Sequence, residues 1–163
     1  MEAQVERIKS LRRFLLEQVE ELTADQLNAI PTGFRNNIIW NLGHLTSAVQ
    51  SICYSRAGLP VAIDEAYVSP YLPGTKPERY IEADEIAVLK TLAISSLDQL
   101  QADVAQHSFS SYSPSVIIPK IYGVEVTNIQ EALNFLLYHE GFHAGYVLAL
   151  KHLLRAPAAP VSA

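Results

Sequence analysis

The sequence predicts an all-α fold, a four-helix bundle with at least one crossover connection. Three observations lead there. Apolar residues recur at steps of three and four in four long segments, proline and glycine separate those segments, and no internal repeat is present. With 163 residues, 49% of them hydrophobic and 18% charged, the chain can bury one self-sufficient core. A single domain is expected over residues 1–156, with 157–163 as a disordered tail.

The first segment runs from Glu2 to Leu22, where Val5, Ile8, Leu11, Leu15, Val19 and Leu22 form an apolar stripe with Glu, Arg and Lys between them. Thr23 followed by Gln26 matches a capping box opening a short turn of helix, and Pro31-Thr32-Gly33 then breaks the chain. A second helix is expected from Asn37 to Ala57, with Ile38, Leu42, Leu45, Val49 and Ile52 facing the core and Gly58-Leu59-Pro60 stopping it. The connection that follows contains Pro60, Pro70, Pro73, Gly74 and Pro77. It is too rich in proline to be helical and too long for a tight turn, and is expected to cross one end of the bundle. The third helix, near Glu82 to Gln106, repeats Ile86, Leu89, Ala93, Leu97, Leu100 and Val104. Between Val116 and Val126, β-branched residues around Tyr122-Gly123 suggest a small hairpin. Thr127 and Gln130 suggest a second capping box, opening a fourth helix that continues to about Arg155.

Formal charge is −5 and the isoelectric point is near 5.5, so the chain lacks the basic stripe that phosphate neutralisation requires and a nucleic-acid partner is not expected. Residues 1–22 are amphipathic rather than a secretory signal core, and no stretch has the ~18 continuous apolar residues of a membrane span. The expectation is a cytoplasmic protein acting on a small-molecule substrate. Cys53 is the only cysteine, which excludes an intrachain disulfide and any cysteine-rich metal site. A metal would have to be held by histidine and carboxylate.

Tyr138-His139-Glu140-Gly141-Phe142-His143 places two imidazoles four residues apart, so on a helix both leave the same face. At ~100° per residue they fall on the flank of the stripe made by Ile129, Leu133, Leu136, Val147 and Leu154, with Glu140 near its centre. Burying two imidazoles side by side among apolar residues is costly unless their nitrogens are satisfied, which favours a shared metal. His44 lies on another helix beside Asn41, Ala48, Ser51 and Ser55, small neighbours that leave room for a ligand. Taken alone, it reads as a hydrogen-bonded core histidine. His107 suits a helix C-cap, and His152 a solvated position. Gly141 and Gly145 form a Gly-x-x-x-Gly on the far face, consistent with close helix packing or a dimer seam. Trp40, one turn before His44, either walls a pocket or packs in the core.

His-Glu-x-x-His also matches the zinc-protease signature, with glutamate as general base. Such enzymes take a third ligand downstream, yet no Asp or Glu follows Glu140, and Tyr146 and Ala149 stand where the longer signature needs Gly and His. The third ligand is therefore sought upstream, and His44 is the best placed candidate. Glu140 is a candidate general base or an acceptor from an imidazole N–H, though it equally suits an ordinary bundle carboxylate. Imidazole ligands accept zinc, nickel, copper and iron alike.

Trp40 and His44 in Ile39-Trp40-Asn41-Leu42-Gly43-His44-Leu45, followed by His139, His143 and Gly145, resemble the DinB-like (YfiT-like) superfamily of metal-binding four-helix bundles. Its members carry Trp-x-x-x-His in the second helix and His-x-x-x-His-x-Gly in the last, so the likeness spans most of the chain. The resemblance implies an up-down-down-up bundle with a long second-to-third connection. It also implies a site of His44, His139 and His143 for zinc, nickel or a related divalent ion, and a homodimer. Relatives include thiol S-transferases, isomerases and proteins described only as metal-dependent hydrolases. No pattern here selects a thiol cofactor. The competing expectation is a non-catalytic metal-binding or stress-related bundle acting through dimerisation.

Overall fold

The computed structural model describes residues 1–106 and 109–155. Helix α1 covers Glu2–Gln18, α2 Ala24–Asn28, α3 Ile38–Val49, α4 Ala83–Ala105, α5 Ile118–Tyr122 and α6 Ile129–Arg155. Helix α3 continues as a π-helical segment, Gln50–Ser55. Among the described residues there is no strand. His107 and the tail 157–163 lie outside the described residues.

Helix α1 ends at Gln18, one turn earlier than its periodicity suggests, with Val19 and Leu22 still buried in the turn that follows. Its core face is Val5, Ile8, Arg12, Leu15 and Val19, while Leu11 is only half-buried. Thr23 and Gln26 form the expected reciprocal capping box of α2. Asn37 caps α3, its side chain accepting from the Trp40 N–H at 2.8 Å.

Every residue of α3 is buried, because other elements cover it on all sides. It packs between α4 and α6, and the long connection covers its remaining face. That connection does not cross the end of the bundle. It runs back along α3, where the Gln50 side chain accepts from the Ala62 N–H at 2.7 Å and Ser47 Oγ donates to the Val68 carbonyl at 3.1 Å. Further along, His44 Nδ1 meets the Tyr71 carbonyl at 2.7 Å and Trp40 Nε1 donates to Thr75 Oγ1 at 3.1 Å. The segment is not wholly non-helical as its prolines suggest: it forms two short 3-10 turns, Glu65–Tyr67 and Ser69–Tyr71, with their own backbone hydrogen bonds, and side chains of α3 and of the π-helical segment hold it in place.

The hairpin expected between Val116 and Val126 does not form. Pro119 sits in the first turn of α5, where its missing N–H costs nothing, and Gly123 closes the helix at φ 67°. The second cap is one residue later than expected: Asn128, not Thr127, accepts from the Glu131 N–H at 2.9 Å, and Glu131 reaches back to the Thr127 N–H at 2.8 Å.

Two apolar clusters fill the interior. One includes Val5, Ile8, Leu97, Leu100, Leu133 and Leu136; the other includes Leu15, Val19, Leu42, Leu89, Val147 and Leu150. Between them lies a polar layer. Arg12, fully buried, donates from Nε to Glu140 Oε2 at 2.9 Å and from a terminal nitrogen to Glu140 Oε1, a two-point ion pair. Its remaining donors reach Thr46 Oγ1 (3.3 Å), the Leu45 carbonyl (3.2 Å) and the Ala93 carbonyl (3.2 Å). One side chain of α1 therefore touches α3, α4 and α6 and uses all five donors of its guanidinium.

Candidate metal centre

One level from that layer, α3 and α6 bring His44, His139 and His143 together. The three are 6%, 4% and 9% exposed. Ring centroids are 5.2 Å apart for His44 and His139, 4.8 Å for His44 and His143, and 4.4 Å for His139 and His143. One ligand nitrogen from each lies within 4.8 Å of the others, so the three could hold one metal ion.

Two of the rings are fixed by hydrogen bonds that also define their tautomers. A carbonyl only accepts, so neutral His44 donates Nδ1–H to Tyr71 O and leaves Nε2 with its lone pair. Asn41 Nδ2 donates to the Asn37 carbonyl at 2.7 Å, which orients its Oδ1 toward His143 Nδ1 at 2.8 Å. His143 must therefore carry its proton on Nδ1, and Nε2 is again free. His139 differs: its Nδ1 is buried with no hydrogen-bond partner among the described residues. An orphaned buried polar atom costs on the order of 1–3 kcal/mol, and a third ligand nitrogen would explain it.

The electrostatics keep the rings neutral. Burial, then the neighbouring His143 and His44, then Arg12 push His139 down to about 2. Burial, with His44 and Arg12 adding to it, pushes His143 down to about 3. His44 is lowered by burial, which outweighs the upward pull of its bond to Tyr71, and Arg12 adds a smaller downward push. Neutral imidazoles with available lone pairs are the form a divalent cation requires. For Glu140, burial raises the carboxyl and the Arg12 ion pair opposes it.

Other residues shape the site. The Trp40 ring stacks on His44 at 4.8 Å and 8°, so it packs against a candidate ligand as well as into the core. A cavity of about 380 Å³ opens onto His143, lined by Phe34, Arg35, Asn36, Asn41, Phe142 and Tyr146 among others. A larger one of about 530 Å³, beside Trp40 and the connection, contains none of the three histidines. No other part of the chain packs closely on Gly141 or Gly145: apart from adjacent residues and the helix's own backbone, no described atom lies within 4 Å of where a Cβ would sit on either. His152 is exposed, as expected.

Sequence reasoning missed Arg12, Asn41 as a partner, and Tyr71. Arg12 had a signal: it stands four residues after Ile8 and three before Leu15, on the core stripe itself. Asn41 was noticed only as a small neighbour. Tyr71 acts through its backbone carbonyl, for which no side-chain pattern exists.

A buried three-histidine cluster carried between helices of an all-helical fold defines the class: a helical protein with a candidate divalent-metal site. The chain belongs to the DinB superfamily, whose family model matches residues 7–147. A comparison with curated proteins finds no match. The structure also contains no helix long and apolar enough to cross a membrane among its described residues.

Proposed function

We propose that the protein is a metal-dependent enzyme, a hydrolase or thiol S-transferase, acting on a small molecule through one divalent ion held by His44, His139 and His143. The observation carrying this reading is the asymmetry of the three rings. Two have one nitrogen engaged and the other free, and the third is buried without a partner. A bound divalent ion of the zinc or nickel type would supply Lewis acidity, lowering the pKa of a coordinated water or thiol.

The residues of the chain do the rest. Tyr71 O and Asn41 hold two imidazoles in fixed tautomers, and Trp40 restricts the His44 ring by stacking. Of the roles open to Glu140, the two-point bond to Arg12 favours a carboxylate that holds α6 in place over a general base, since both its oxygens are engaged. Three protein ligands would leave coordination positions open, and the cavity that His143 helps to line would give a small molecule access to them.

The proposal extends to a single domain over residues 1–156 in a cytoplasmic homodimer, with an up-down-down-up order of the four long helices. Supporting that order, Gln4 bonds Asn134 near one end of α1 and Lys151 bonds Gln18 near the other. Tyr54 bonds Asp103 while Arg12 joins Leu45 and Ala93.

Cobalt substitution tests the reading. The visible spectrum of the cobalt protein should change on adding 2-mercaptoethanol or azide, because a catalytic metal keeps an exchangeable position. A cobalt spectrum indifferent to both would favour the second reading, a structural or sensory metal site in a stress-related bundle.

A further inference from the structure

The cavity at His143 has a composition that the charge of the chain does not predict. The protein has 17 acidic residues against 12 basic ones, yet this cavity is lined by one cation, Arg35, and by no carboxylate. Arg35 is exposed and makes no ion pair with any described residue. The larger cavity beside Trp40 offers a contrast, since it contains Glu78 along with Lys76 and Arg79, and Arg79 is already bound to Glu85 at 2.6 Å.

The other walls are aromatic. Phe34 meets Tyr146 edge to face at 5.5 Å, and Phe142 lies against His143 at 5.7 Å and 78°. Phe142 is 57% exposed although it directly precedes the buried His143. An exposed phenylalanine and an exposed guanidinium, unpaired among the described residues, line one cavity of ligand size and supply two recognition elements: a flat apolar surface and a positive charge.

We propose that this cavity binds a small anionic molecule with a flat apolar body, an arylalkyl carboxylate in chemical class. Its carboxylate is held by Arg35, and its body lies against Phe34, Phe142 and Tyr146. This deepens the metal-enzyme reading and rests on it for the location of the reacting end, which faces His143. Arg35 is then a specificity-determining residue. It selects charge, while the other polar side chains lining the cavity, Asn36, Asn41, His143 and Tyr146, are neutral.

The test is calorimetric titration of 3-phenylpropionate and of its neutral amide into the full-length protein, with metal content measured on the same samples. The carboxylate should bind about tenfold more tightly than the amide. Arg35→Gln should remove that preference without weakening the amide, whereas Phe142→Ala should weaken both. Equal binding of the two compounds to wild type, or a preference for the carboxylate that survives in Arg35→Gln, would overturn the proposal. If the sample holds metal and the preference is absent, the anion site alone fails. If the preference depends on Arg35 in protein that takes up no metal, the anion site stands and the metal reading fails.

Discussion

Among the described residues only Lys9 is a buried charge besides Arg12 and Glu140, and the pairing of these two shows how one residue can set the terms for its neighbours. Removing the cation alone leaves a carboxylate in the core, so Arg12→Ala should destabilise the fold by about 3–5 kcal/mol in denaturant titration. Replacing both, as Arg12→Met with Glu140→Leu, should recover most of that loss, because a well-packed apolar pair needs no desolvation. If the double variant folds and keeps its metal but loses activity, Glu140 has a chemical role as well as a structural one. The histidines add a pH dependence whose sign is fixed by their lowered values, about 2 for His139 and about 3 for His143. Above about pH 6.5 the rings are neutral in both folded and unfolded chains. Below it the unfolded chain takes up protons that the folded one refuses. Metal-free protein should therefore lose stability as pH falls below about 6.5, by up to about 1.4 kcal/mol per pH unit for each ring. Urea midpoints that stay constant between pH 7 and pH 5 would contradict the neutral, buried assignment. The histidine pair was legible from its spacing alone. Arg12 was overlooked because an arginine on a stripe reads as surface until the buried Glu140 opposite is known.

At the scale of elements, the four long helices were readable because their apolar residues follow a 3.6-residue period over many turns. Short elements had no such redundancy. The β-branched residues near Tyr122 suggested strands, but Pro119 and Gly123, at positions that open and close a helix, outweighed them. The long connection was readable as proline-rich and not as a strap, since its anchors on α3 include backbone carbonyls at Val68 and Tyr71. Gly43 shows how closely that strap is applied. A Cβ there would fall 2.5–2.7 Å from the Tyr71 ring, which is itself buried. Gly43→Ala should accordingly cost about 1–3 kcal/mol and shift the carbonyl that orients His44. A drop in zinc affinity accompanying that loss, measured by competition with a chromophoric chelator, is the expected result. Unchanged affinity would separate the strap from the site.

For the whole molecule, a ligand that binds only the folded state stabilises it by mass action. At a free zinc concentration one hundred times the Kd, the gain is about 2.7 kcal/mol, or roughly 5–10 °C in Tm for a chain of this length. The thermal shift should vanish in His139→Ala. Family membership was legible in the order and spacing of Trp40, His44, His139, His143 and Gly145. The chemistry of the substrate was not, because the cavity is assembled from Gly33, Phe34, Arg35 and Asn36, from Asn41 of α3 and from α6, whose lining residues stand over one hundred positions further along the chain.

The most direct test of the central claim is metal content by elemental mass spectrometry on tag-free protein purified without nickel resin, beside the His139→Ala, His143→Ala double variant. About one equivalent of a divalent metal in wild type and none in the variant is the predicted result. Wild-type protein that holds no metal and takes up none from added zinc, nickel or manganese would show that the three histidines are core residues and contradict the account.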